Sequence, residues 1–195
     1  MPSAFSDKER SRITEQLLDT ATRLFATQGL RKTSLEELTA PAGIAKSSLY
    51  AFFDSKEDLY FEAVLRQSAQ VRRRVIDEGL HRGDGTRDAL RCFLRATVAE
   101  LDANPLYRRL MSHPQEMDAV AAKLTPERLA AAEEGPMGDL LDFLGTHLKG
   151  DPQVLLGVLR AVLLAPLHAD HLGADLFPAV MDRLIDAVTE GITSC

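Results

Sequence analysis

The stretch Thr33–Leu59, TSLEELTAPAGIAKSSLYAFFDSKEDL, decides how this chain folds. Gly43 sits at its centre between two short apolar segments. Leu38 and Ala42 precede the glycine; Ile44, Leu49 and Phe52 follow it. Two short helices crossing at a steep angle bring these five side chains into one buried cluster. Thr39 is small enough to let the helices approach, and Gly43 supplies the positive φ of a tight turn. This is a helix-turn-helix pattern. The caps agree with it. Thr33 and Glu36 have capping-box spacing, and Ser55 precedes Glu57 and Asp58, which place acids in the first turn of the next helix. Pro41 lacks an N–H and disfavours a helical residue before it, so the second helix is expected to stop by Ala40 or Pro41.

The positions that do not enter this cluster point outward: Lys46, Ser47, Ser48, Tyr50 and Ala51. Small residues near the start of the third helix let it sink into a major groove. A serine hydroxyl bonds a base edge or a phosphate, and Lys46 reaches guanine or phosphate. The Tyr50 hydroxyl suits a phosphate. Thr33, its neighbour Ser34 and Lys56 stand where helices begin and free backbone N–H groups favour an anion. Phe52 and Phe53 are read as core aromatics.

Helical periodicity continues through the remaining sequence, cut by Gly, Pro and Asn, with no sustained strand alternation. The expected fold is all-α with about nine helices. The first runs roughly Lys8–Gln28, with the stripe Ile13, Leu17, Ala21, Leu24 and Phe25 and a left-handed cap at Gly29. The third spans about Ala45–Phe53, and a long fourth reaches about Gly79. Later helices fall at Thr86–Ala103, Leu106–Ser112, Pro114–Leu124 and Pro126 to about Leu148, the last disturbed at Gly135-Pro136. Two very apolar helices close the chain, about 152–169 and 178–193. Their apolar circumference points to burial against a second copy, hence a homodimer. A helix-turn-helix domain over 1–54 and an effector-binding and dimerisation domain over 55–195 follow.

Residues 13–61 resemble the N-terminal domain of the tetracycline-repressor (TetR) family of bacterial transcriptional regulators. The resemblance is carried by Leu24, Phe25 and Gly29, by Thr33-Ser34, by Ala42–Ile44, by Leu49, Tyr50 and Phe53, and by Ser55–Leu59. It implies a dimer, a palindromic operator on double-stranded DNA, and a C-terminal bundle that holds a small-molecule effector. Thr33, Lys46, Ser47, Ser48, Tyr50 and Lys56 fall at the family's DNA-contact positions. Two departures stand out: Thr39 replaces the usual alanine, and Pro41 ends helix two.

The net charge is −6, which by itself argues against nucleic acid. The distribution matters more. Residues 1–56 hold 8 Lys and Arg against 7 Asp and Glu, while the rest hold 15 against 22. The first segment therefore meets DNA through local patches. No run approaches the ~20 apolar residues of a membrane span. The N-terminus has charges with no apolar core behind them, and the two cysteines do not make a disulfide framework, so a cytoplasmic setting is expected. No catalytic or cofactor motif occurs, so neither an enzyme nor a cofactor is expected. His168 and His171, one turn apart, lack partners at metal-ligand spacing. The effector candidates are Phe93, Tyr107, Met111, Met117, Phe143, His147 and His168, which suit a lipophilic ligand. The first reading is a repressor released by that ligand. The second is a DNA-binding regulator without an effector, gated by a partner protein or acting as an activator.

Overall fold

The computed structural model describes residues 5–130, 139–140, 142–143, 151–169, 173 and 175–193. The fold is all-α, with no strand among these residues. The elements are α1 (Asp7–Lys32), α2 (Leu35–Thr39, finishing as a 3-10 turn over Ala40–Ala42), α3 (a 3-10 helix, Lys46–Ala51) and α4 (Lys56–Arg72, ending in a π turn over Arg73–Asp77). Then come α5 (Thr86–Ala103), α6 (Pro105–Ser112), α7 (Pro114–Ala121), α8 (Pro126–Ala130), α9 (Pro152–Leu164, continuing as 3-10 through His168) and α10 (Phe177–Thr193). No described helix is long and apolar enough to cross a membrane. Gly135-Pro136, His147 and His171 lie outside the described residues.

The chain packs as two compact units, Met1–Gln67 with Pro105–Leu129, and Ser68–Asn104 with Ala130–Cys195. This cuts the chain elsewhere than the expected boundary after residue 54. The reason is hydrophobic burial. Leu106 of α6 and Val120 of α7 are buried in the same core as Ile13, Leu17, Ala21, Phe25 and Leu30 of α1. That core also takes Leu38, Ala42 and Leu49 of the helix-turn-helix and Leu59, Tyr60, Phe61 and Ala63 of α4. Each large side chain sunk in it stabilises the fold by about 1.5–3 kcal/mol.

α1 departs from its expected end. It continues to Lys32, but Gly29 breaks it with φ 80° and ψ 174°. A Cβ here would lie 2.0 Å from the Arg109 guanidinium and 2.4 Å from the Glu116 carboxylate. Glycine is therefore required twice, by conformation and by space. Arg109 grips Glu116 through two parallel bonds, Nη2 to Oε1 at 2.7 Å and Nε to Oε2 at 3.0 Å. The Tyr60 hydroxyl donates to the same carboxylate at 3.3 Å, as does the Leu30 backbone N–H. Burial opposes the Glu116 charge, but Arg109 outweighs it and holds the carboxyl below its ordinary range. Burial, then the Glu116 charge, push the Tyr60 phenol up.

In the second unit α5 and α10 run antiparallel, with α9 packed against both. Arg87 donates to Thr193 at 3.0 Å, Arg91 to Asp186 at 2.8 Å, and Arg95 pairs with Asp182 at 3.1 Å, descending α10 as α5 rises. The Arg72–Arg74 run serves the same unit. Arg72 holds Asp139, Arg73 meets Glu78, and Arg74 reaches the buried Glu100 at 2.6 Å.

Two stability tests address the Gly29 clamp. Gly29→Ala should lose about 3 kcal/mol in urea unfolding, from the strained φ together with displacement of Arg109. Arg109→Met should cost a similar amount by stranding Glu116. Because the folded-state pKa of Glu116 lies below its ordinary value of 4.5, its contribution is complete above that pH and is lost as pH falls beneath it. The stability gap between wild type and Glu116→Gln should therefore close on acidification. A gap that stays constant with pH would show that the charge contributes nothing.

Candidate nucleic-acid interface

The N-terminal side of the interface starts from a cap one residue later than expected. Ser34, not Thr33, caps α2: its hydroxyl accepts from the Glu37 N–H at 3.2 Å, and the Glu37 carboxylate accepts from the Ser34 N–H at 2.8 Å. These contacts hold the exposed Glu37 carboxyl below its usual range, the backbone N–H first and the hydroxyl second. Thr33 is taken by the end of α1. Its hydroxyl donates to the Gly29 carbonyl at 2.7 Å, and its side chain is buried. The hydroxyl expected at a DNA contact therefore faces inward.

The turn forms as its residue types require. α2 ends at Thr39, and Pro41 enters the 3-10 turn near its start, where a missing N–H leaves no bond unmade. Gly43 follows at φ 69°, ψ 28°, its N–H donating to the Ala40 carbonyl at 3.0 Å. Thr39 is buried, with its hydroxyl donating to the Leu35 carbonyl at 2.9 Å, so it crosses the neighbouring helix without an unpaired polar atom. Leu38, Ala42 and Leu49 are buried, and Ile44 and Phe52 pack against them half-buried. α3 is shorter than expected and is wound as 3-10.

This frame brings part of the expected set together. Ser34, Lys46, Ser47 and Tyr50 line one open hollow of about 450 Å³, shared with Leu35 and Glu36. Lys46 and Ser47 are exposed. Tyr50, 59% exposed, is an aromatic that the core does not claim. Ser48 is half-buried beside them. Lys56 plays a different part: its Nζ donates to the Thr33 carbonyl at 3.0 Å, joining the start of α4 to the start of α2. Ser55 caps α4 as expected, accepting from the Asp58 N–H at 2.9 Å.

Three groups that frame the interface were not among the expected residues. Arg10 donates to the Ala51 carbonyl at 2.6 Å and lies over the Phe52 ring. Lys123 reaches Glu57 at 2.6 Å. Arg128 bridges Asp58 and Glu62 and covers the Phe61 ring. Each pairs residues far apart in sequence, and periodicity carries no signal for that.

The effector candidates divide between the units. Tyr107, Met111 and Met117 belong to the first, and Phe93, Phe143 and His168 to the second. Phe143 alone of them lines a hollow of about 520 Å³ in the second unit, with Leu80, His81, Thr86, Ala89 and Asp139 among its walls.

Residues 17–63 match the family model described as bacterial regulatory proteins, tetR family. Among curated relatives, the chain is 33% identical over 89 residues to the uncharacterized HTH-type transcriptional regulator YxaF of Bacillus subtilis, covering 45% of this chain and 46% of that one. It is 43% identical over 61 residues to the HTH-type transcriptional repressor KstR2 of Rhodococcus jostii, covering 31% and 30%. The chain thus spans less than half the length of these relatives. Solved structures share the fold over nearly the whole chain. A tetR family transcription regulator from Shewanella sp. PV-4 matches with a TM-score of 0.67 at 20% identity, over 91% of this chain and 95% of that one. FadR of Bacillus subtilis, solved with stearoyl-CoA, matches with a TM-score of 0.62 at 15% identity, over 92% and 97%. The matched helix-turn-helix, the relatives and the shared all-α fold agree: residues 17–63 match the tetR family of bacterial regulatory proteins, and the chain as a whole shares the fold of solved structures described as members of that family.

Proposed function

We propose that the protein is a dimeric transcriptional repressor that reads a palindromic operator on double-stranded DNA through α3 and is released by a small lipophilic effector. One observation carries this reading. Lys46, Ser47 and Tyr50 stand exposed around one open hollow, while Leu49 of the same short helix is completely buried and pins α3 to the core. Ser34, Lys46, Ser47 and Tyr50 are the direct contacts proposed, with Ser48 at their edge. Lys56 and Thr33 act by holding the frame. The protein works in the cytoplasm, beside the DNA, as a regulator and not as an enzyme.

Dimerisation is supported by what α9 and α10 leave uncovered. Val154, Gly157, Ala161 and Leu164 recur at three- and four-residue spacing on α9, and all are exposed. Val180, Ala187 and Gly191 are exposed on α10 at seven- and four-residue spacing. A Cβ at Gly157 or Gly191 would meet nothing within 4 Å. Small residues on two adjacent helices allow close approach of the same pair from a second copy, across a two-fold axis. A dimer then presents two heads to two half-sites one helical turn apart.

The effector reading rests on the hollow beside Phe143, whose volume suits a small ligand, and on a neighbour of the same fold that holds an acyl-CoA. Release needs only modest coupling. A 100-fold loss of operator affinity corresponds to about 2.7 kcal/mol of differential binding.

Selection from a random duplex library with the full-length protein supplies the operator. On the enriched duplex, Lys46→Ala should weaken binding by about 1–3 kcal/mol and Tyr50→Phe by about 1 kcal/mol. Unchanged gel-shift affinity in both would remove α3 as the reading element. Leu164→Glu should convert the dimer to a monomer in light scattering, and a variant that stays dimeric would place the interface on other helices.

A further inference from the structure

We propose that Arg10, near the start of α1, is a positioning residue for the reading helix: it fixes the C-terminal end of α3 and so sets sequence discrimination without touching DNA itself. The inference rests on the DNA-binding reading above. α3 has six residues in a 3-10 winding, so few internal bonds set its direction. Its start is fixed by the Gly43 turn, where the Ile44 N–H donates to the Thr39 carbonyl at 3.4 Å. At its end, the Phe52 and Phe53 N–H groups both turn back to the Leu49 carbonyl, at 2.8 and 3.0 Å. The Ala51 carbonyl is left pointing out of the helix end, and Arg10 Nη2 donates to it at 2.6 Å across 41 residues of sequence.

The guanidinium is held from a second side. Its carbon lies 5.0 Å from the centre of the Phe52 ring, and Phe5 packs on the same ring at 5.4 Å between centroids. A planar cation stacked on an aromatic and aimed at a carbonyl is oriented in a way that a flexible ammonium is not. Ala51 adjoins Tyr50, so a swing of this helix end displaces the exposed hydroxyl of the reading face. Phosphate attraction is independent of sequence, whereas base contacts depend on the angle of the helix. Loosening the end should therefore cost discrimination more than general affinity.

The test compares full-length wild type with Arg10→Gln, Arg10→Lys and Phe5→Ala on the duplex enriched by wild type and on a scrambled duplex, over a salt series. Arg10→Gln should bind the enriched duplex about tenfold more weakly, with little change on the scrambled one and with the wild-type slope of log affinity against log salt. Arg10→Lys should recover only part of that loss. Phe5→Ala, which changes no charge, should lose discrimination in the same direction, and it keeps the test open if an Arg10 variant folds poorly. A slope lowered by about one, equal weakening on both duplexes and full rescue by lysine would make Arg10 a phosphate contact and overturn the proposal. Unchanged discrimination in all three variants would overturn it too. If wild type enriches no duplex, the DNA-binding reading fails and takes the proposal with it.

Discussion

The first unit depends on one ion pair placed where α1 breaks. Arg109 and Glu116 come from α6 and α7 and close against Gly29, joined by the Tyr60 hydroxyl of α4 and the Leu30 N–H of α1. An ion pair removed from water adds little net stability, because desolvation offsets attraction. Its partners nonetheless cannot separate cheaply. Here that property binds a segment about eighty residues downstream to the first helix. The same segment is tied to α4 by Lys123 on Glu57 and by Arg128 on Asp58 and Glu62. Any displacement of Pro105–Leu129 is therefore felt by α1 and α4 together, the two helices between which the helix-turn-helix is held.

That rigidity matters because α2 and α3 are too short to orient themselves. Isolated helices of five or six residues do not persist in water. Their geometry is borrowed from Leu38, Ala42 and Leu49 in the shared core and from side chains that seize backbone carbonyls: Thr33 on Gly29, Lys56 on Thr33 and Arg10 on Ala51. Lys56 and Thr33 occupy positions where the family resemblance implies DNA contact. In this chain their polar atoms bond backbone carbonyls of the frame, which separates them from the residues proposed to form the reading face.

Local patterns made much of this legible. The Gly43 turn, the Ser55 cap, the early stop at Pro41 and the limits of α5 follow from residue preferences that act within a few positions. The capping box slipped by one residue because Thr33-Ser34 offers two hydroxyls, and only the C-terminus of α1 decides which is free. Gly29 was expected to be special, but not that a guanidinium occupies the space its missing Cβ leaves. The membership of α6 and α7 in the first unit was hidden for the same reason. Leu106 and Val120 read as ordinary apolar positions, and their partners are set by tertiary packing alone. Among the effector candidates, aromatic and methionine residues chosen by type proved to belong to two separate units.

The acidity of the chain also takes a different meaning. Many of its carboxylates are partners of arginine and lysine: Glu57, Asp58, Glu62, Glu100, Glu116, Asp139, Asp182 and Asp186 all sit in ion pairs. Those arginines are engaged in holding the fold and contribute little to a long-range field. What remains near the proposed interface is a small local excess, with Lys46 exposed beside Tyr50 and Glu36 opposing it in the same hollow. A protein so arranged gains little from electrostatic steering. On the proposed DNA-binding function, its hold on DNA would come from close fit and from a few short contacts. The angle of α3, and the side chains that fix that angle, therefore weigh more here than they would in a strongly basic domain.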